Sequence, residues 1–124
     1  MKSFTNGLLE LLMEMKEKPW IYLGEKSLKN LQHFIHGATF THHKVSGVYE
    51  IFLPNFQHFI RKKYDGGGSN NEFGIILENT TSDEEALDTY FKLLDEFLAL
   101  SQEEQDKYIP KYIKEQMKAS DQIE

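Results

Sequence analysis

Residues 82–98 read SDEEALDTYFKLLDEFL, and this stretch decides the fold. Ser82 followed three residues later by Glu85 matches the capping box, in which the two side chains each satisfy an orphan backbone N–H at a helix start. Behind it Leu87, Tyr90, Phe91, Leu94, Phe97 and Leu98 recur at helical spacing and form a wide apolar stripe. Asp83, Glu84 and Glu85 fall in the first turn, where acids favour the positive end of the helix dipole.

Working outward, Ser101-Gln-Glu-Glu104 repeats the capping device and predicts a final helix carrying Tyr108, Ile109, Tyr112, Ile113 and Met117. Pro110 lies inside it, so a kink or break is expected there. Residues 118–124 read as a frayed tail. Upstream, NEFGIILEN (71–79) suits a buried strand or a short buried helix; with no clear partner strand elsewhere, helix is favoured. GGGSN (66–70) reads as a flexible loop. Pro54 is a good first helical residue for a helix through NFQHFIRKKY, with Phe56, Phe59, Ile60 and Tyr64 facing the core. Residues 38–50 show no periodicity and read as a loop or short extended piece. Ser27 caps a helix in which Leu28, Leu31, Phe34 and Ile35 repeat, with Gly37 placed to close it. Leu8, Leu9, Leu12 and Met15 stripe a first helix over 6–17, which Pro19 ends; Gly24 then makes a turn. The expectation is one all-α domain over residues 1–124, a bundle of five or six helices.

With 124 residues, 40% of them apolar, the chain can enclose one core without disulfides or a structural metal. It has no cysteine, which excludes disulfide frameworks, thiolate metal sites and thiol nucleophiles. In the N-terminal MKSFTNGLLELLMEM, Glu10 and Glu14 interrupt the apolar run and no signal-peptide cleavage site follows. No stretch is apolar enough to span a membrane. A cytoplasmic location with no membrane association is therefore expected.

The formal net charge of −6 conceals a polarity along the chain. Residues 1–63 carry nine Lys/Arg against five Asp/Glu, whereas residues 64–124 carry five against fifteen. From Tyr64 to Phe91 there is no Lys, Arg or His. A field of that sign repels nucleic acid and steers a basic partner; it is also what a solvated helix face looks like. Arg61-Lys62-Lys63 is one short basic cluster and does not make a nucleic-acid site.

Motifs for chemistry are sparse. The glycines at 66–68 lack the Lys and the strand–helix setting of a phosphate loop. No Ser stands in a nucleophile context beside His and Asp. His33 and His36 are three apart and could share a helix face as metal ligands, with His42, His43 or Glu50 completing a set. Scattered surface histidines explain them as well. No enzymatic activity and no cofactor are expected.

Lys18-Pro19-Trp20-Ile21-Tyr22-Leu23-Gly24-Glu25-Lys26-Ser27-Leu28-Lys29-Asn30-Leu31, continuing to Phe34-Ile35-His36-Gly37, resembles a segment of small uncharacterised bacterial proteins. Their version runs basic-Pro-Gly-Met-Tyr-Leu-Gly, then Ser-Leu-x-x-Leu-x-x-Phe-Leu-x-Gly-Tyr. The likeness extends to Ser82-Asp-Glu-Glu-Ala86-Leu87 and to Leu93-Leu94-Asp95-Glu96-Phe97. Trp20 and Ile21 depart from the usual Gly-Met, and Ala38 from the usual Tyr. In size and charge such proteins are similar to the immunity proteins encoded beside bacterial toxins. The resemblance implies a protein partner, a basic toxin domain such as a nuclease, and transfers no binding residue.

Physics nominates the residues instead: Asp83, Glu84, Glu85, Asp88, Asp95 and Glu96 as an acidic surface, with 84, 88 and 95 on one helix face. Trp20 and Tyr22 are candidate aromatic anchors. Two other functions stand beside this one: a metal-binding or metal-dependent enzyme domain using His33 and His36, and an intracellular regulatory or scaffold module. Oligomeric state is open, since amphipathic helices of this kind suit a monomer or a dimer.

Overall fold

Ser82 lies in extended backbone and its hydroxyl accepts the Glu85 N–H at 3.0 Å, so the helix starts where the sequence places its cap. The return contact is shifted by one residue. The Glu85 carboxylate takes the N–H and hydroxyl of Thr81 rather than the Ser82 N–H. The computed structural model describes residues 4–5, 7–65 and 71–123. Among them the order is β1 (Phe4–Thr5), α1 (Gly7–Glu17), α2 (Pro19–Leu23), α3 (Leu28–Ser46), β2 (Tyr49–Glu50), α4 (Phe52–Lys63), α5 (Glu72–Glu78), α6 (Asp83–Leu98), α7 (Gln102–Asp106) and α8 (Lys111–Ile123). The two-residue strands pair in parallel, Phe4 with Tyr49 and Thr5 with Glu50. The fold is all-α.

α6 is the central helix, burying Ala86, Leu87, Tyr90, Phe91, Leu93, Leu94 and Phe97 against α3, α4 and α5. The core is aromatic where α4 crosses it. Phe56 has ring neighbours in Phe52, Phe59, Tyr90 and Phe97, with centroids 5.2–6.4 Å away. Phe73 of α5 stacks on Tyr90 at 5.6 Å. Each such ring removed from water is worth about 1.5–3 kcal/mol, which lets a few aromatics hold a small bundle together. Leu8, Leu12 and Met15 of α1 close the other side.

Among the described residues eight helices replace the expected five or six, for two reasons. The Pro19 stretch read as a turn is itself helical as α2, with Gly24 at φ 79° ending it. The Pro110 position is a full break, so the final helix divides into α7 and α8. The ambiguous 71–79 segment is helical, capped by Asn71, whose side chain accepts the Gly74 N–H at 2.9 Å. α8 continues to Ile123, through the stretch expected to fray. The GGGSN loop lies outside the described residues.

The largest correction is α3. It does not close at Gly37 but runs to Ser46, through what reads as a loop, and ends at Gly47 in left-handed backbone at φ 71°. Nothing lies within 4 Å of a Cβ built at Gly37. No residue after Ile35 in α3 is buried, so the last three turns overhang the core. An overhanging helix needs no apolar stripe, and periodicity is therefore blind to it. A smaller correction concerns α4, which begins at Phe52 and not at Pro54. The Glu50 carboxylate accepts the Phe52 N–H at 2.8 Å, and Pro54 sits in the first turn where its missing N–H costs nothing.

Candidate functional site

α6 leaves one face in solvent, and Glu84, Asp88, Asp95 and Glu96 are exposed along it. Lysines from the two segments that flank α2 in sequence reach that face. At one flank of α2, Lys16 binds both carboxylate oxygens of Asp95 at 2.7 Å. At its other flank Lys26 stands 3.9 Å from Glu84 and 4.0 Å from Asp88. These contacts join the end of α1 and the turn after α2 to the α6 acids. On α2, Pro19 and Leu23 are buried while Trp20 and Ile21 are 59% and 62% exposed. A five-residue helix with its two middle apolar residues in water is an unusual use of hydrophobic area, because a surface helix ordinarily turns them inward.

The nominated residues separate into two groups. Asp83 and Glu85 serve helix starts, Asp83 half-buried and Glu85 exposed. Asp83 accepts the Leu28 and Lys29 N–H groups at 2.8 and 3.2 Å and the Ser27 hydroxyl, so it caps α3 from the start of α6. The Thr81 hydroxyl and N–H hold the Glu85 carboxyl below its ordinary range. Tyr22 is half-buried: its hydroxyl donates to Glu14 at 2.8 Å and its ring meets Phe34 edge-on at 6.3 Å. That bond to a carboxylate pushes the Tyr22 hydroxyl above its ordinary value. Glu84, Asp88, Asp95, Glu96 and Trp20 form the outer group. Glu96 pairs with Lys63 of α4.

Sequence reasoning passed over Ile21. Its only signal was the departure from Gly-Met at 20–21, where two large apolar residues stand in place of small or flexible ones. The lysine partners were also missed, since ion pairs between distant segments leave no local pattern.

Exposed pairs of this kind are worth no more than about 1 kcal/mol each, so Lys16 and Lys26 can give way to cations of an incoming surface at little cost.

The histidines are spread out. His33 and His36 are exposed on α3, and the His36 ring meets Phe73 edge-on at 5.9 Å. His58 is tied to the Tyr108 carbonyl through Nδ1 at 2.8 Å. Among the described residues no group of three or more His, Asp or Glu is placed to hold a metal ion. Glu50 lines clefts beside His42 and His43, but its oxygens serve backbone, accepting from Leu8 at 3.0 Å and Phe52 at 2.8 Å. It thus braces the starts of α1 and α4 together. Burial raises its carboxyl, opposed by those N–H groups and His42. Glu72 is buried in α5, and desolvation raises its carboxyl against Gln57, His36 and Arg61.

Among the described residues no helix is long and apolar enough to cross a membrane. Comparison with protein-family models, with curated proteins and with solved structures found no match to this chain.

Proposed function

We propose that this chain is a non-enzymatic protein-binding domain of the immunity type, which neutralises a basic toxin domain in the cytoplasm of a bacterial cell. The observations that support the reading are the exposure of Trp20 and Ile21, both more than half in solvent, and the α6 acids reached by Lys16 and Lys26, which flank α2 in sequence. In this reading Trp20 and Ile21 supply the desolvated centre, and Glu84, Asp88, Asp95 and Glu96 supply orientation and fast encounter. A cationic nuclease cleft, built to hold phosphates, has the complementary sign. The partner's lysines and arginines replace Lys16 and Lys26 on the acid row. Glu84, Asp88 and Asp95 sit four and seven residues apart on one helix, which offers a linear row of carboxylates to a cleft.

The test is recovery of the partner. Tagged chain immobilised with lysate from its native cells retains a single basic domain, which elutes as salt rises and rebinds on dilution. Recovery of no basic protein, or of one whose retention ignores salt, overturns the reading.

A further inference from the structure

Tyr108 is pinned to the body of the bundle just before α8 begins. Its ring meets Phe59 and Phe97 edge-on at 5.3 and 6.1 Å, and its carbonyl accepts from His58 Nδ1 at 2.8 Å. Only Ile109 and Pro110, both non-helical, separate that anchor from the first residue of α8. Proline fixes its own φ and pushes the residue before it toward extended backbone, so the link is short and stiff. The place where α8 starts is therefore set by Tyr108 and not by the packing of α8 itself.

That packing is incomplete. Ile109, Ile113 and Met117 recur at helical spacing, yet Ile113 is buried, Met117 is half-buried, and the other α8 side chains through Ala119 are exposed. A cleft of about 360 Å³ stays open beneath the helix, walled on the body side by Leu9, Phe52 and Leu98. Protein interiors are ordinarily close-packed, so α8 sits short of the seat its apolar stripe would fill. The charges match across the same gap. α7, which lines one side of the cleft, carries Glu103, Glu104 and Asp106 and no base. α8 carries Lys111, Lys114 and Lys118 against the one acid Glu115 in its first eight residues. Among the described residues no ion pair joins the two sets.

We infer that two copies of this chain exchange α8, each seating Ile113 and Met117 in the cleft of the other, with the α8 lysines toward its α7 acids. An α8 arriving from a second copy is not held by the Tyr108 of the body it docks on, so it can settle into the cleft that the chain's own α8 leaves open. A short, stiff hinge favours such exchange over closure on the same chain. Release costs little, because one buried and one half-buried side chain hold the helix down. The exchange uses no residue of the α6 acid row, so it stands or falls separately from the function proposed above.

The test refolds an equimolar mixture of isotope-labelled and unlabelled full chain and reads it by light scattering and isotope-filtered NMR. A dimer mass that falls to the monomer on dilution is expected. Contacts between copies should run from the Ile113 and Met117 methyls to Phe52 and Leu98. A Gly-Ser-Gly-Ser insertion between Ile109 and Pro110 frees α8 to seat on its own body. That variant should lose the dimer and keep the same contacts within one chain. The proposal is overturned by a monomer mass at every concentration, by a dimer whose filtered spectrum lacks those contacts, or by an insertion variant that dimerises as well as the parent.

Discussion

Asp83 belongs to α6 by sequence, yet its carboxylate completes the start of α3, where three donors from Ser27, Leu28 and Lys29 converge on it. The neighbouring Glu84 has only a long, exposed contact with Lys26. Asp83→Ala is therefore expected to lower unfolding free energy by about 1–3 kcal/mol, the cost of leaving cap donors unmet, while Glu84→Ala stays within about 0.5 kcal/mol. Urea unfolding of the two variants checks this. Glu72 makes a prediction of a different kind. Its carboxyl is raised above the ordinary 4.5 because burial penalises the charge more than Gln57, His36 and Arg61 favour it. The folded chain then holds the proton more tightly than the unfolded chain. The stability this group contributes is complete below the ordinary carboxylate value and is lost as pH rises through the raised one. Unfolding free energies of Glu72→Gln should accordingly gain on the parent as pH climbs from about 4.5, then run level above the raised value. Parallel curves across pH 4–8 would refute the assignment. Neither role was legible in the sequence. Capping patterns show which residues start a helix, not which distant helix an acid such as Asp83 will serve.

At the scale of elements, α3 sets two glycines against each other. Gly37 sits in the helix interior, exposed, with open space where a Cβ would go; Gly47 ends the helix at φ 71°. Gly37→Ala should stabilise the fold by about 0.5–1 kcal/mol, since alanine loses less backbone freedom in a helix. Gly47→Ala should destabilise it by about 1 kcal/mol, because the left-handed backbone crowds a Cβ. Thermal unfolding of the pair checks both signs. The capped helices α6 and α7 could be read from Ser82 and Ser101 because their signals are local, whereas α5 was favoured only for want of a partner strand and its Asn71 cap was passed over. The far half of α3 could not, because helicity there comes from continuation of a buried start and not from a stripe of its own.

Over the whole molecule, the charge polarity of the chain resolves into contacts. Lys16, Lys26 and Lys63, all from the basic half, meet Asp95, Glu84, Asp88 and Glu96 on the acidic α6. The polarity therefore helps place α1, the turn after α2, and α4 around α6. The row itself was legible as a helical face. The exposure of Trp20 and Ile21 was not, since it depends on how a short helix sits against α1 and α3.

The most direct test of the central claim compares capture of the recovered partner by the parent chain, by Trp20→Ala and by Glu84→Lys with Asp88→Lys. These residues lie outside the core, so Trp20→Ala should unfold at the parent's midpoint and the charge-reversed chain somewhat below it, having lost a first-turn acid and the Lys26 contacts. The account predicts that the parent holds a basic domain in a salt-sensitive complex and that Trp20→Ala weakens it about thirtyfold, as loss of a central anchor does. The charge-reversed chain should associate much more slowly at low salt. Equal capture by all three would contradict the account and move the binding surface off α2 and α6.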